Sequence, residues 1–283
     1  MESFVYTNPR GKKIELNYDG DYLIDSYDGL TNAAIEPITI KGYRQNGYTL
    51  NGLTYGSRLI NITFYLCARN AEDLYKKRAE LSSVFNPLLG EGLLTYTNDY
   101  TSKSIRCIPS VMPTINDRTG LLLSVAVELT AHNPFWFDTA ESALLLEGFT
   151  GGLKFPIKFS PSQKFANKDT VAVVRIEGDI PSPIRAEFRG ASVKPRLTLT
   201  DTGEFIEVDK EMSAGEKMII TTEYGNKNVV YENANGERSS AYHLINLDST
   251  FFSLPYGENT ISFTSQLGEP QVYLYWRNYY AGV

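Results

Sequence analysis

Cysteine and histidine are scarce, with two of each among 283 residues. Cys67 and Cys107 lie on opposite sides of a predicted helix without metal-ligand spacing, and they read as two reduced, half-buried thiols. His132 and His243 have no carboxylate or cysteine at ligand spacing in the sequence, so no metal or other cofactor is expected. Long apolar runs are also missing. The longest, around Leu121 to Val127, falls far short of the roughly 20 residues that a membrane-spanning helix needs. The opening stretch from Met1 to Lys13 has no apolar signal-peptide core, which gives the expectation of a protein made in a cytosol that leaves only as part of an assembly.

Basic charge is not in excess either. The net charge is -6, shared between residues 1–139, with 13 Lys+Arg against 15 Asp+Glu, and residues 140–283, with 14 against 18. Without a basic half or run, tight sequence-independent binding of nucleic acid is not expected. There is no GxSxG elbow, HExxH helix, Walker loop or GxGxxG fingerprint, and Gly90-Glu91-Gly92 runs into Leu93-Leu94 rather than opening a helix for phosphate. Asn61-Ile62-Thr63 matches a glycosylation sequon but falls inside a predicted strand.

What is present points to β structure. The chain is 42% apolar and 21% charged, ordinary for a globular protein, and its 12% aromatic content with 22 Gly and 13 Pro favours strands and turns. Ile60, Ile62, Phe64 and Leu66 alternate with polar residues, as do Leu121, Leu123, Val125, Val127 and Leu129, which predicts half-buried antiparallel strands. Between them one helix is predicted near 70–85: Asn70 is its N-cap, Glu72 and Asp73 lie in the first turn, and Leu74, Leu81 and Phe85 form a narrow apolar stripe. Asn86-Pro87 ends it, and Lys76, Lys77, Arg78 and Glu80 fill the remaining positions.

Length favours two domains, and the pattern breaks after His132-Asn133-Pro134-Phe135-Trp136-Phe137-Asp138, giving domains 1–139 and 140–283. In the second, short strands recur without a helix at 170–177, 184–189, 196–200, 205–208, 217–222, 228–231, 260–263 and 272–276. That pattern reads as a β-sandwich.

Three clusters are candidates for function. Residues 42–57 hold four glycines with Tyr43, Tyr48 and Tyr55 and show no usable periodicity. Such a segment is either a partner-binding element, tyrosine supplying large contact area at low entropy cost, or a mobile hairpin tip. Asp19, Asp21, Asp25 and Asp28 lack the Gly and Glu of an EF-hand and read as a solvated edge. Asp201-Thr202-Gly203 has the form of an aspartic-protease loop, but the chain holds one copy and the triplet is also ordinary hairpin-turn chemistry.

Taken together, Tyr55-Gly56-Ser57-Arg58, Phe85-Asn86-Pro87 with Gly90-Glu91-Gly92, and the run His132 to Asp138 resemble the amino-terminal domain of distal tail proteins of long-tailed bacteriophages. Gly178-Asp179-Ile180-Pro181-Ser182-Pro183, Asp201-Thr202-Gly203, the run Phe251 to Asn259 and Tyr279-Tyr280-Ala281-Gly282-Val283 resemble that family's second domain. The resemblance implies a mainly β protein: a ring-forming β-sandwich or split-barrel-like domain with one α-helix, then a galectin-like β-sandwich. It implies a non-enzymatic virion component, assembled in the host cytoplasm, whose homohexameric ring joins the tail tube protein to a tail-tip or hub protein. Receptor-binding proteins are further candidate partners. DNA would pass its channel without specific binding.

On that footing Tyr43, Tyr48, Tyr55 and Arg58 are the expected inter-subunit contacts, and Asp19, Asp21, Asp25 and Asp28 the expected channel-facing carboxylates, since a lumen of like charge repels phosphate. The alternative is a carbohydrate-binding module in which Trp276 and Tyr224 face an open groove. Gly148 and Gly151-Gly152 between the patterned halves predict that limited proteolysis yields two stable fragments cut between about residues 138 and 155. A single resistant core would refute the two-domain division.

Overall fold

Period-two burial organises the first half of the chain. In the strand Arg58–Cys67, Ile60, Ile62, Phe64 and Leu66 are buried, and in its antiparallel partner Leu122–Ala131 the buried set is Leu123, Val125, Val127, Leu129 and Ala131. Because successive side chains point to opposite faces, this whole set lines one side of the sheet. The computed structural model describes residues 2–146, 170–268 and 270–283. Gly148, Gly151, Gly152, Phe155 and Pro156, expected at the joint, lie outside the described residues.

The sheet runs Lys13–Leu16, Ser3–Thr7, Gly92–Thr97, Ser102–Pro109, Leu122–Ala131, Arg58–Cys67 and Tyr22–Asp28, each antiparallel to its neighbour. Its two ends meet: Asn17 donates its N–H to the Tyr22 carbonyl at 3.1 Å and accepts from the Ile24 N–H at 2.8 Å. The sheet therefore curls back on itself, which removes most of its free edges and encloses a core from Phe4, Tyr6, Ile14 and Leu16 to Trp136.

The single α-helix among the described residues, Ala71–Val84, is capped as its sequence requires, the Asn70 side chain accepting from the Asp73 N–H at 2.9 Å. Leu74, Leu81 and Val84 enter the core, and Phe85 stacks on Tyr6 with ring centroids 4.8 Å apart. Lys77 departs from the solvent-facing role that the pattern gives it. It is buried, with its ammonium 2.7 Å from the Cys67 carbonyl, 3.0 Å from Asp21 and 3.2 Å from Asp73. Desolvation pulls its affinity for the proton down, but the two carboxylates more than offset this and hold it above the ordinary lysine value. Cys67 is half-buried as expected, while Cys107 is fully buried, and burial pushes its thiol far up and leaves it inert.

The chain forms two compact units, Met1–Thr139 with Tyr279–Val283, and Ala140–Asn278. Sequence pattern assigns the last five residues to the second domain. In the structure they belong to the first, because Tyr279–Tyr280 pairs with Trp136–Asp138, which in turn extends Ser102–Pro109.

The second unit is a sandwich of two antiparallel sheets. One runs Ser142–Leu146, Gln271–Trp276, Ile184–Arg189, Lys217–Thr221, Asn228–Glu232 and Arg238–Ser240; the other runs Thr170–Ile176, Gly257–Thr264, Arg196–Leu199 and Phe205–Glu207. All eight predicted strands are present, and Phe188 meets Phe263 in its core at 5.6 Å. Gln271–Trp276 is an interior strand of the larger sheet, with Val272 and Leu274 buried.

Asp201 is tied across strands rather than within its own turn: its carboxylate accepts the Thr260 N–H at 3.0 Å, while the Gly203 N–H closes the turn on Leu199. Asp201→Ala should lower the unfolding free energy by about 1 kcal/mol with the fold retained, measured by urea denaturation. No loss of stability would refute the bond's contribution. A second test concerns Glu2, whose carboxylate accepts the hydroxyls of Tyr96 at 2.7 Å and Tyr27 at 2.8 Å. These bonds hold Glu2 below its ordinary value of 4.5. A carboxylate lowered in the folded state adds stability above pH 4.5 that is lost as pH falls through the folded value. Melting temperature should therefore drop more steeply below that pH in the wild type than in Glu2→Gln, and parallel profiles would refute this.

Candidate functional site

Between Asp28 and Arg58 the chain leaves the first unit's sheet and makes a separate two-stranded ribbon, Ile35–Ile40 paired with Thr49–Tyr55. Segment 42–57 is thus neither shapeless nor complete in itself; it is the tip and returning strand of a longer arm. Ile38-Thr39-Ile40 before the glycine-rich turn carried a hairpin signal, and Pro37 marked the first strand as an edge.

The arm exposes the side chains that strands normally bury. By register, Ile35, Pro37, Leu53 and Tyr55 lie on one face, and Glu36, Ile38, Ile40 and Thr54 on the other. Ile35 is 59% exposed and Leu53 61%, so apolar surface faces solvent along the length of the ribbon. At the tip, Gly42 and Gln45 hold the turn: the Gln45 Oε1 accepts from the Gly42 N–H at 2.8 Å, and its Nε2 donates to Thr49 at 2.9 Å. Lys41 lies 5.2 Å over the Tyr48 ring and Arg44 5.2 Å over the Tyr43 ring. The tip is therefore basic and aromatic, with Tyr43 91% and Tyr48 67% exposed. Tyr55 sits at the opposite end, edge-on to Phe135 at 5.2 Å.

Arg58 is not a surface contact. It is fully buried, with Nε donating to the Pro134 carbonyl at 2.7 Å, Nη1 to Gly29 at 2.8 Å and Leu30 at 2.9 Å, and Nη2 to Ala281. Four carbonyl acceptors and, among the described residues, no carboxylate surround it, so the expected inter-subunit role is replaced by an internal one. Sequence pattern missed this because Arg58 occupies an inward strand position that normally takes an apolar side chain.

The four aspartates do not converge. Asp19 lies in the exposed turn after Asn17, Asp21 pairs with Lys77, and Asp25 occupies the bulge in Tyr22–Asp28. Asp21 and Asp28 are separated by about 23 Å of strand. Asp28 is instead aligned with Asn61 and, one strand further, Glu128 on the outward face of the sheet, a position that sequence spacing could not reveal.

In the second unit, Trp276 packs half-buried against the core, and Tyr224 stands in an exposed turn. Trp276 is aligned with Ile184, whose carbonyl accepts the Thr222 N–H at 2.9 Å, so Trp276 and Tyr224 belong to the same end of the larger sheet. The outward tyrosines of the larger sheet are covered by arginine: Arg185 lies 3.8 Å over Tyr275 and Arg189 4.3 Å over Tyr273, and both guanidinium groups bond Glu187. His132 lies 3.6 Å from Glu91 across an exposed gap, a neighbour absent from its local sequence. Among the described residues, no group of three or more His, Cys, Asp or Glu could hold a metal ion, and no helix is long and apolar enough to cross a membrane.

Comparison with known proteins places both units. Residues 10–122 match the family model of the phage tail protein RIFT-related domain, and residues 177–280 match that of the siphovirus-type tail component, C-terminal domain. No curated protein matches the sequence. Among solved structures, the chain is similar to the Dit protein of phage SPP1, described as a paradigm of the hub adsorption apparatus in phages infecting Gram-positive hosts. The identity is 12%, 99% of each chain is covered, and the TM-score is 0.67. It is also similar to chains of the phage p2 baseplate in its activated conformation with Ca and with Sr. Identities are 10% and 9%, coverage is 98% and 97% of this chain and 97% and 98% of those, and the TM-score is 0.56 for both. At such identities these likenesses establish the fold alone.

Proposed function

Because the chain belongs to the distal tail protein family of siphovirus-type phages, and so is a structural tail component, we propose that its first unit closes a homohexameric ring at the distal end of the tail tube. The carrying observation is the arm, whose exposed apolar faces and unpaired strand edges are a costly arrangement for a chain that stays alone. An isolated two-stranded ribbon is marginally stable in water, and packing on a neighbour supplies what it lacks.

In this reading the arm of one copy lies on a different surface of the next. Such heterologous contacts close a ring when the rotation per copy divides a full turn, and the number six comes from the family resemblance. Tyr43 and Tyr48 are the tip anchors, and Tyr55 braces the base. Asp28 and Glu128 on the outward sheet face are the carboxylates best placed to line a channel that passes DNA without holding it; Asp19 and Asp25 are further candidates, and Asp21 already serves Lys77. The ring joins the tube to a tail-tip or hub protein, with the second, galectin-like unit available to receptor-binding proteins.

The test is mass in solution by light scattering, together with negative-stain imaging. The wild type should give a six-copy ring, and replacing Tyr43, Tyr48 and Tyr55 together by Ala should shift it toward monomer while changing the melting temperature little. A wild type that stays monomeric at high concentration, alone and with its tail-tip partner, would overturn this reading.

A further inference from the structure

We infer that the segment Tyr279–Val283 is a latch that sets the root of the arm through Arg58. The arm therefore becomes competent to engage a second copy only after residues more than two hundred positions downstream have been made. The consequence for engagement rests on the ring reading above; the latch itself rests on the geometry within the first unit.

The arm leaves and re-enters the sheet at Gly29–Leu30 and Arg58, and Arg58 holds both points, since its Nη1 donates to the Gly29 and Leu30 carbonyls while its own backbone ends the returning chain. Nη2 donates to the Ala281 carbonyl, 223 residues away in sequence. Trp136 joins the same knot, its indole N–H donating to the Leu30 carbonyl at 3.1 Å, and Trp136 is in turn the strand partner of Tyr280. Lys103 completes the fastening of the segment, lying 3.5 Å over the Tyr280 ring and 2.6 Å from Asp138.

Two backbone approaches make this knot tight. A Cβ on Gly29, whose φ is +93°, would lie 2.0 Å from the Leu59 carbonyl oxygen, and a Cβ on Gly282 would lie 3.2 Å from the Thr31 Cα. Thr31 is the first step into the arm, so the downstream segment touches the root directly as well as through Arg58.

A buried guanidinium without a carboxylate depends on every carbonyl around it. While Ala281 is missing, one face of Arg58 has no acceptor, and the arm's root is held by the remaining bonds alone. Chain synthesis runs from residue 1 upward, so the barrel strands and the arm exist before the latch does. The arrangement keeps an apolar arm from being rigidly presented while its own chain is still being made.

The test uses the whole chain and reads the arm's root by hydrogen exchange, with the Gly56 amide as reporter because it closes the arm's base on the Ala34 carbonyl at 2.8 Å. Gly282→Val leaves Arg58 intact but crowds Thr31, and Arg58→Lys keeps the charge but cannot reach four carbonyls. Both should raise exchange at Gly56 by roughly tenfold or more, with less change in strand Leu122–Ala131. A chain ending at Asn278 should reproduce the effect. Folded Gly282→Val and Arg58→Lys proteins with wild-type protection at Gly56 would overturn the latch. Oligomer mass is read separately: a monomeric wild type counts against the ring, while the exchange comparison still decides the latch, and a ring that forms equally well in all three variants overturns the link between them.

Discussion

One buried cation organises the first unit. Arg58 stands at an inward position of a strand whose other inward residues are apolar, so its charge had to be met by four backbone carbonyls brought from three separate places. Moving a guanidinium out of water costs several kcal/mol, and each charge-assisted bond offsets about 1.5 to 3 kcal/mol of it. Burial pulls the group below its ordinary value, yet arginine remains charged, so the demand for acceptors persists at every physiological pH. The loop at Gly29–Leu30, the turn before Trp136 and the segment at Ala281 are where they are because Arg58 holds them.

From that constraint the arm acquires its direction. A two-stranded ribbon has no core of its own, so its orientation is decided where it joins the sheet, and both joints converge on Arg58. The exposed isoleucines and leucines of the ribbon then make sense as surface meant for another molecule, carried by an element anchored at the fully buried Arg58. The tip differs in chemistry from the shaft: its tyrosines pair with their own Lys41 and Arg44, which keeps a basic aromatic end soluble while leaving ring edges available.

The second unit solves a different problem. Its larger sheet has one face in the sandwich core and the other toward solvent, and on the outer face Glu187 is buried beneath Arg185 and Arg189, with Glu232 held similarly by Lys217 and Arg238. The Lys217–Glu232–Arg238 set spans three adjacent strands and so helps fix their register, whereas Arg185, Glu187 and Arg189 lie along a single strand. Arg185 and Arg189 also occupy the tyrosine faces that a sugar would stack on, which fits a structural role better than glycan capture.

Much of this was legible from local pattern. Alternation located the eight sandwich strands and the paired strands at 58–67 and 122–131, and Asn70, Glu72, Asp73 and the Asn86-Pro87 stop located the helix, because these signals depend only on side-chain period and on backbone groups within a few residues. Short motifs in both halves sufficed to reveal the family. Local pattern had no means of placing Lys77, Arg58 or Tyr279–Val283. Whether a charged side chain at a given position faces water or a ring of carbonyls is decided by segments tens to hundreds of residues away, and whether a closing strand completes one unit or the other is decided by which sheet offers it an unpaired edge. Asp21 and Asp28 are close in sequence and apart in space for the same reason: a strand carries its residues apart at about 3.3 Å each, and only the pairing of strands aligned Asp28 with Asn61 and, one strand further, Glu128.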